Sequence, residues 1–224
     1  MKKITLILVV ACCAFFSSCA TYTRGGLYPK VYEEKPVTLL VMPPINKTTN
    51  VDAKDLLYTS ICQPLAEAGY YVVSPHLAME IFKNESAYDA EMFIDQSVSA
   101  FGQVFGADAV VFSIIDTWKK RGFGIDTEIT YIVKSTHTDE VIFQRKCDLY
   151  LDLQQSTGIG GLAGALADLA LSATATALTE HIEAARKCNF YIFKDMPRGK
   201  YSPEYQNDME IQSDAQNIKK TISK

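Results

Sequence analysis

Two alternating segments on either side of a short polar turn constrain this chain most. In the first, Ile125, Thr127, Ile129, Tyr131 and Val133 fall on one face, with Asp126, Glu128, Thr130 and Lys134 on the other. After a turn at 136–140, Val141, Phe143, Cys147, Leu149, Leu151 and Leu153 share a face, opposite Gln144, Lys146, Asp148 and Asp152. Period-two patterning flanking a turn predicts an antiparallel hairpin with one face buried. Both segments also have the length of outer-membrane barrel strands. Arg145 on the apolar face, and the lack of further strands of this kind, favour a water-soluble sheet.

The rest of the chain supplies elements to pack against that hairpin. Ala109 to Ile115 is a nearly continuous apolar run, the pattern of a central strand covered on both faces. Val37 to Met42 is a shorter run stopped by Pro43-Pro44, and Tyr70 to Val73 reads as another strand. Between them Leu56, Leu57, Ile61 and Leu65 recur at helical spacing, with Asn50 or Asp52 as cap, a break at Pro64 and Gly69 at the end. Ser74-Pro75 opens a second helical region containing Leu77, Ala78, Ile81 and Phe82. A third runs through Met92, Phe93, Val98, Phe101 and Phe105 to Gly106. Residues 158–185 read as a long helix of small residues, and Phe190 to Phe193 as a last short strand. The fold class expected is α/β: a mixed sheet, mainly antiparallel in its C-terminal strands, packed with helices in a single compact domain over residues 37–193. Residues 194–224 form a polar tail. There Ile211, Ala215, Ile218 and Ile222 sit at helical offsets, so a docking helix and disorder are both open.

Composition narrows the class. With 48% hydrophobic and 21% charged residues, disordered and collagen-like chains are excluded. A formal net charge of -4 argues against a surface built to neutralise phosphates, so nucleic acid is not an expected partner.

The address is written at the N-terminus. Lys2 and Lys3 precede an apolar stretch from Ile4 to Phe16, a signal-peptide pattern. Thirteen residues fall short of the roughly 20 that a spanning helix needs. The stretch closes with Phe16-Ser17-Ser18-Cys19, which has the form of a bacterial lipobox: a bulky apolar residue, two small residues, and a thiol that accepts a diacylglycerol. Residues 1–18 are expected to be removed and Cys19 to become the lipidated first residue, bearing palmitate-type chains. Cys12 and Cys13 are competing acceptors, but choosing Cys12 would leave an apolar core of only about eight residues. Ala20 follows in place of an inner-membrane-retaining Asp. The expected location is therefore the outer membrane, on a lipid anchor facing the periplasm. Loss of Lys2 and Lys3 leaves 20 basic against 26 acidic residues, a mature charge of -6. Residues 19–36 read as a lipidated tether, whose 17 residues after Cys19 would reach at most about 60 Å.

No reaction motif accompanies this address. Residues 158–163 match GxGxxA after a strand, but the preceding strand alternates and no βαβ unit continues from it, so no nucleotide cofactor is expected. Gly160 and Gly164 have GxxxG spacing, yet Asp168 offsets the insertion energy of the six large apolar residues around it. Small-residue helix packing on the sheet, or on a second copy, explains the segment better. His76, His137 and His181 are scattered, so no metal site is expected. Lys119, Lys120 and Arg121 make a basic hairpin tip, either a solvated turn or a contact for anionic glycan or lipid. Cys62, Cys147 and Cys188 lie in or beside apolar segments, which favours buried free thiols with one disulfide as the alternative.

Three stretches carry a resemblance: Leu40-Val41-Met42-Pro43-Pro44, then Pro64-Leu65-Ala66-Glu67-Ala68-Gly69-Tyr70-Tyr71-Val72-Val73, then Phe105-Gly106-Ala107-Asp108-Ala109. In this order they resemble a bacterial lipoprotein family of unknown function, grouped with the curli-secretion lipoprotein and the penicillin-binding-protein activator lipoprotein. The resemblance spans roughly residues 19 to 190. It implies an outer-membrane lipoprotein whose periplasmic α/β domain works through protein contacts, not an enzyme. The partners it implies are other envelope lipoproteins, or further copies of the chain in a homo-oligomer, within a secretion or transport complex. The alternatives are a regulator of a peptidoglycan synthase and a periplasmic ligand-binding protein or hydrolase. The barrel hairpins of the curli-secretion relative have no counterpart here, and Cys19 is the one functional residue carried across.

Overall fold

The computed structural model describes residues 22–85, 88–153 and 177–223. Its sheet grows around β4 (Ala109–Arg121), β5 (Gly124–Ser135) and β6 (Val141–Asp152), three long antiparallel strands in which Ile129 stands opposite Ile115 and Cys147. On one side β1 (Thr38–Val41) pairs parallel to β4, and β3 (Tyr71–Val72) pairs parallel to β1. The two-residue strand β2 (Ile45–Asn46) continues beside β4 after the Pro43-Pro44 turn. On the other side β7 (Asn217–Ser223) runs parallel to β6. The strand order β3-β1-β4-β5-β6-β7, with β2 beside β4, makes a mixed seven-stranded sheet. The α/β expectation holds.

Helices cover both faces. One core joins α3 (Asp52–Ser60), α4 (Cys62–Glu67) and α7 (Ala177–Phe193) to Val41, Val111, Ile129, Tyr131 and Leu149. Two short helices before β1, α1 (Arg24–Leu27) and α2 (Pro29–Glu34), place Tyr28 and Val31 in this same core. The opposite core is smaller. There α5 (Pro75–Asn84) and α6 (Ser99–Phe105) bring Ala78, Phe82 and Phe101 against Leu40, Met42, Val110 and Phe112.

Local chemistry explains the boundaries. The Asn50 carboxamide accepts from the Ala53 backbone N–H at 3.1 Å and caps α3. Pro64 has no N–H for the Ser60 carbonyl four residues back, and the helix breaks between Ser60 and Cys62. Gly106 ends α6 at φ 64°, where its N–H reaches the Gly102 carbonyl. A bulge between Ile115 and Thr117 shifts the register of β4, so Ile115 and Trp118 both face the larger core.

Several expectations are corrected. Phe190 to Phe193 is the last turn of α7, not a strand, because Ala184, Ala185, Cys188, Asn189, Ile192 and Phe193 form one buried helical stripe. Of the predicted 158–185 helix, residues 158–176 lie outside the described residues. In α5 the buried pair is Ala78 and Phe82, while Leu77 and Ile81 face solvent. Val141 is exposed and Ile142 buried, because the β5–β6 register slips at Val133 and Lys134. Lys134, expected on the solvent face, is buried and donates to the carbonyls of Ile94 and Gln96.

The largest corrections concern the two ends. Residues 24–34, read as tether, are helical and packed. Residues 194–223 neither dangle nor form a helix, since β7 is a strand. Buried ion pairs fasten both regions. Arg24 Nη1 meets Asp208 Oδ2 at 2.9 Å, and Nη2 donates to the Lys194 carbonyl at 2.8 Å. Arg145, the charge on the apolar face of β6, meets Asp195 at 3.1 Å. Thr23 and Gln212 form an antiparallel bridge, and Ser213 N–H donates to the Tyr22 carbonyl.

Candidate functional site

The expected site residue, Cys19, lies outside the described residues, and so does the GxGxxA segment at 158–163. What the structure gives is the point from which that anchor would depart. The first described residue is Tyr22, and from Thr23 onward the backbone is held. Thr23 Oγ1 caps α1 by accepting from Gly26 N–H, Arg24 N–H donates to the Ile211 carbonyl, and Gly25 N–H donates to the Met209 carbonyl. Two residues, Ala20 and Thr21, separate Cys19 from Tyr22, a span of at most about 11 Å. The leash expected from the sequence is therefore far shorter than the 60 Å first estimated.

Several surfaces could meet another protein. Between α3 and α5 runs an open groove of about 650 Å³, formed in part by Pro43, Tyr58, Met79, Pro75 and Tyr88, with Lys54 and His76 among its polar residues. It lies beyond the C-terminal ends of the parallel strands β1 and β3, where open α/β sheets place their ligands. The Tyr58 hydroxyl donates to the Pro75 carbonyl at 3.0 Å across its floor, and burial lifts that phenol well above its usual range. Burial also pushes the Cys62 thiol up to about 11, so it stays protonated and a poor nucleophile at neutral pH. Beside the groove, Leu77 and Ile81 stand one turn apart on the solvent side of α5, 59% and 40% exposed. Tyr71 is also exposed on β3, an edge strand of the sheet.

The other edge is protected differently. Strand β7 carries Lys219 and Lys220, with Lys219 paired to Asp148 at 3.2 Å. The polar face of the hairpin continues that pattern across the strands. Lys146 pairs with Glu128, and Arg121 lies 3.2 Å from Asp126 and over the Tyr150 ring. The hydrogen bond from Lys146 holds the Glu128 carboxyl below its usual value. The basic tip predicted at 119–121 thus has its arginine engaged at home.

No catalytic constellation emerges among the described residues. Among the described residues no three His, Cys, Asp or Glu side chains gather as metal ligands. His76 sits near Glu80 at 3.8 Å, His137 near Asp108 at 3.4 Å, and His181 accepts from Trp118 Nε1 at 2.6 Å. A buried chain of hydrogen bonds does run through the larger core. Tyr131 hydroxyl donates to Asn189 Oδ1 at 2.6 Å, and Asn189 Nδ2 donates to Ser60 Oγ at 2.9 Å, locking β5, α7 and α3 together. Burial raises the Tyr131 phenol well above its ordinary value, so the network is a structural brace. No helix among the described residues is long and apolar enough to cross a membrane.

The class of protein follows from the sequence family: a model of lipoproteins matches most of the chain. The chain belongs to the GNA1162-like lipoprotein family, whose model matches residues 27–188. Lipoprotein NMB1124/NMB1162 of Neisseria meningitidis serogroup B is 26% identical over 178 residues, covering 78% of this chain and 83% of that protein. Among solved structures, lipoprotein GNA1162 from Neisseria meningitidis aligns with a TM-score of 0.49 at 23% identity, over 64% of this chain and 99% of that one. A PelC dodecamer from Paraburkholderia phytofirmans aligns at 0.39 and 12% identity, over 75% of this chain and 91% of that one. The LpoB C-terminal domain from Salmonella enterica gives 0.34 and 14%, over 56% and 96%.

Proposed function

We propose that this chain is a non-enzymatic outer-membrane lipoprotein that serves as a structural or assembly component of a cell-envelope secretion or transport complex. Residues 1–18 are its signal peptide, Cys19 carries the lipid, and residues 22–223 form a periplasm-facing body. The observation that carries the reading is the short approach from Cys19. With a leash of at most about 11 Å, the body rests at the membrane surface, where neighbouring lipoproteins are the proteins within reach. An activator of an inner-membrane synthase would have to cross the periplasm, and the packing of residues 24–34 removes the reach to do so. Family membership, the exposed apolar side chains of Tyr71, Leu77 and Ile81, and the α3–α5 groove support the same reading.

In-cell crosslinking followed by mass spectrometry, on wild type and Cys19→Ala, tests it. Crosslinks from α5 to itself or to other outer-membrane lipoproteins, lost in Cys19→Ala, are expected. Crosslinks dominated by a peptidoglycan synthase would replace this reading with the regulator. A small molecule retained in the α3–α5 groove would replace it with a ligand-binding protein.

A further inference from the structure

The hydrophobic contact between β6 and α7 contains two sulfurs. Cys147 lies at the middle of β6 and Cys188 on the buried stripe of α7. Both are fully buried free thiols, with Sγ atoms 3.1 Å apart. Cys62 lines the α3–α5 groove instead. We propose that in the cell envelope Cys147 and Cys188 are oxidised to a disulfide that ties α7 to the sheet.

The geometry is close to what the bond needs. A disulfide has sulfurs roughly 2.0 Å apart, so a movement of about 1 Å shared between a strand and a helix closes the gap. Opposed elements already hold the two residues in place: Cys147 stands across from Ile129 and Ile218 in the sheet, and Cys188 is flanked on α7 by the buried Ala184, Ala185 and Ile192. Thr127 Oγ1 lies 3.2 Å from Cys188 Sγ, giving that thiol a polar neighbour on its way in.

The compartment supplies the chemistry, and here the proposal rests on the reading that the chain is exported. Exported proteins meet an oxidising environment, where such pairs form and persist. The electron acceptor is the disulfide of an envelope thiol–disulfide oxidoreductase. One cysteine thiolate attacks that disulfide, forming a mixed disulfide and releasing one oxidoreductase thiolate. The second cysteine thiolate then displaces the other. One S–S bond forms within this chain as one breaks in the oxidoreductase. Two electrons pass to the oxidoreductase, and the two protons lost by the cysteines go to its resulting dithiol.

Timing follows from burial. In the packed core the hydrogen bond to Cys188, together with burial, holds the Cys147 thiol far above its usual range, so exchange there is slow. Oxidation therefore precedes docking of α7, while the newly exported chain is open. Once α7 docks, reductants are shut out along with water.

The test uses the full-length tagged chain taken from cell envelopes under acid quench, alkylated in denaturant without reductant, and digested for mass spectrometry. The expected result is a linked pair of peptides containing Cys147 and Cys188, with Cys62 alkylated. Cys62→Ala should leave that linkage unchanged. In addition, the chain reduced in denaturant and refolded with reductant present should melt roughly 10 °C below the oxidised chain, the scale for closing a loop of this length in a domain of this size, and equal melting temperatures would overturn the linkage. A chain that begins at acylated Cys19 and yet has both Cys147 and Cys188 alkylated would overturn the disulfide while leaving export intact. A chain that retains residues 1–18 with all thiols alkylated would overturn export and this proposal together. Linkage through Cys62 would also overturn it.

Discussion

Arg145 and Asp195 form a buried ion pair, Nη1 to Oδ2 at 3.1 Å, where β6, the end of α7 and residues 214–215 converge. The same guanidinium donates to the Ile192 carbonyl at 3.0 Å and to the Ala215 carbonyl at 3.0 Å. It thereby satisfies orphan carbonyls at the C-terminus of α7 and places positive charge where the helix dipole is negative. One arginine fastens three pieces of chain.

Removing one partner strands the other charge in the core. Asp195→Ala is expected to cost about 3–5 kcal/mol of folding stability, the scale for breaking a buried pair. Urea denaturation of the mature chain measures it. Arg145→Met combined with Asp195→Leu should cost less than the sum of the two single changes. Strict additivity would mean that the pair is not coupled.

Gly69 ends α4 at φ 93°, and a Cβ there would lie 2.6 Å from the Ser202 backbone nitrogen. Gly199 meets Gly69 equally closely from the other side, within the hydrogen-bonded contact of 68–69 with 199–201. Gly69→Ala combines positive-φ strain with a backbone clash and should destabilise by about 2–4 kcal/mol. A melting temperature equal to wild type would show that residues 199–202 are not seated as described.

Strand β7 covers β6. Removing residues 214–224 uncovers the edge of β6 from Lys146 to Asp152 and takes away Ile218, which is 4% exposed. The truncated chain should self-associate through that edge, read as a shift to larger species in size-exclusion chromatography. A monomeric, fully stable truncation would show that β7 is dispensable.

Acid should loosen the same strand. Hydrogen bonds from Lys194 and then Lys220 hold the Asp214 carboxyl below its ordinary 3.8. The folded value is the lower one, so this contribution is present above about pH 4 and is lost as pH falls through the folded value. The protection of the β7 amides relative to their intrinsic exchange rates should fall on going from pH 5 to pH 2.5, and Lys194→Met with Lys220→Met should remove most of that pH dependence.

The hairpin, the central strand and the first two short strands were legible because their patterns have one period and local stop signals. Strand β7 was not, for a geometric reason. Ile218 and Ile222 are four residues apart, a spacing that puts side chains on one face of a helix and equally on one face of a strand. Only its neighbour β6 decides between them. Phe190 to Phe193 misled in the opposite way, since a four-residue aromatic-rich run hides the stripe that begins at Ala184. The lipobox that ends at Cys19 is a local motif, so the proposal for that residue rests on the sequence alone. The groove beside α5 could not, because it depends on which of the pairs Leu77/Ile81 and Ala78/Phe82 turns inward. The pairings of Arg24 with Asp208 and of Arg145 with Asp195 join residues 184 and 50 positions apart, and no local pattern announces them.

The pairing of Arg24 with Asp208 has a kinetic consequence. In a chain delivered gradually, as it is in synthesis and in the proposed export, residue 24 emerges well before residue 208. Until the later stretch arrives, Arg24 and Arg145 have no carboxylates, β6 has a bare edge, and Gly69 has nothing resting on it. Folding must wait for nearly the whole chain, and its many distant pairings make the final step slow. During that interval the unfinished body exposes its bare strand edge and core, in need of a chaperone more than of a partner.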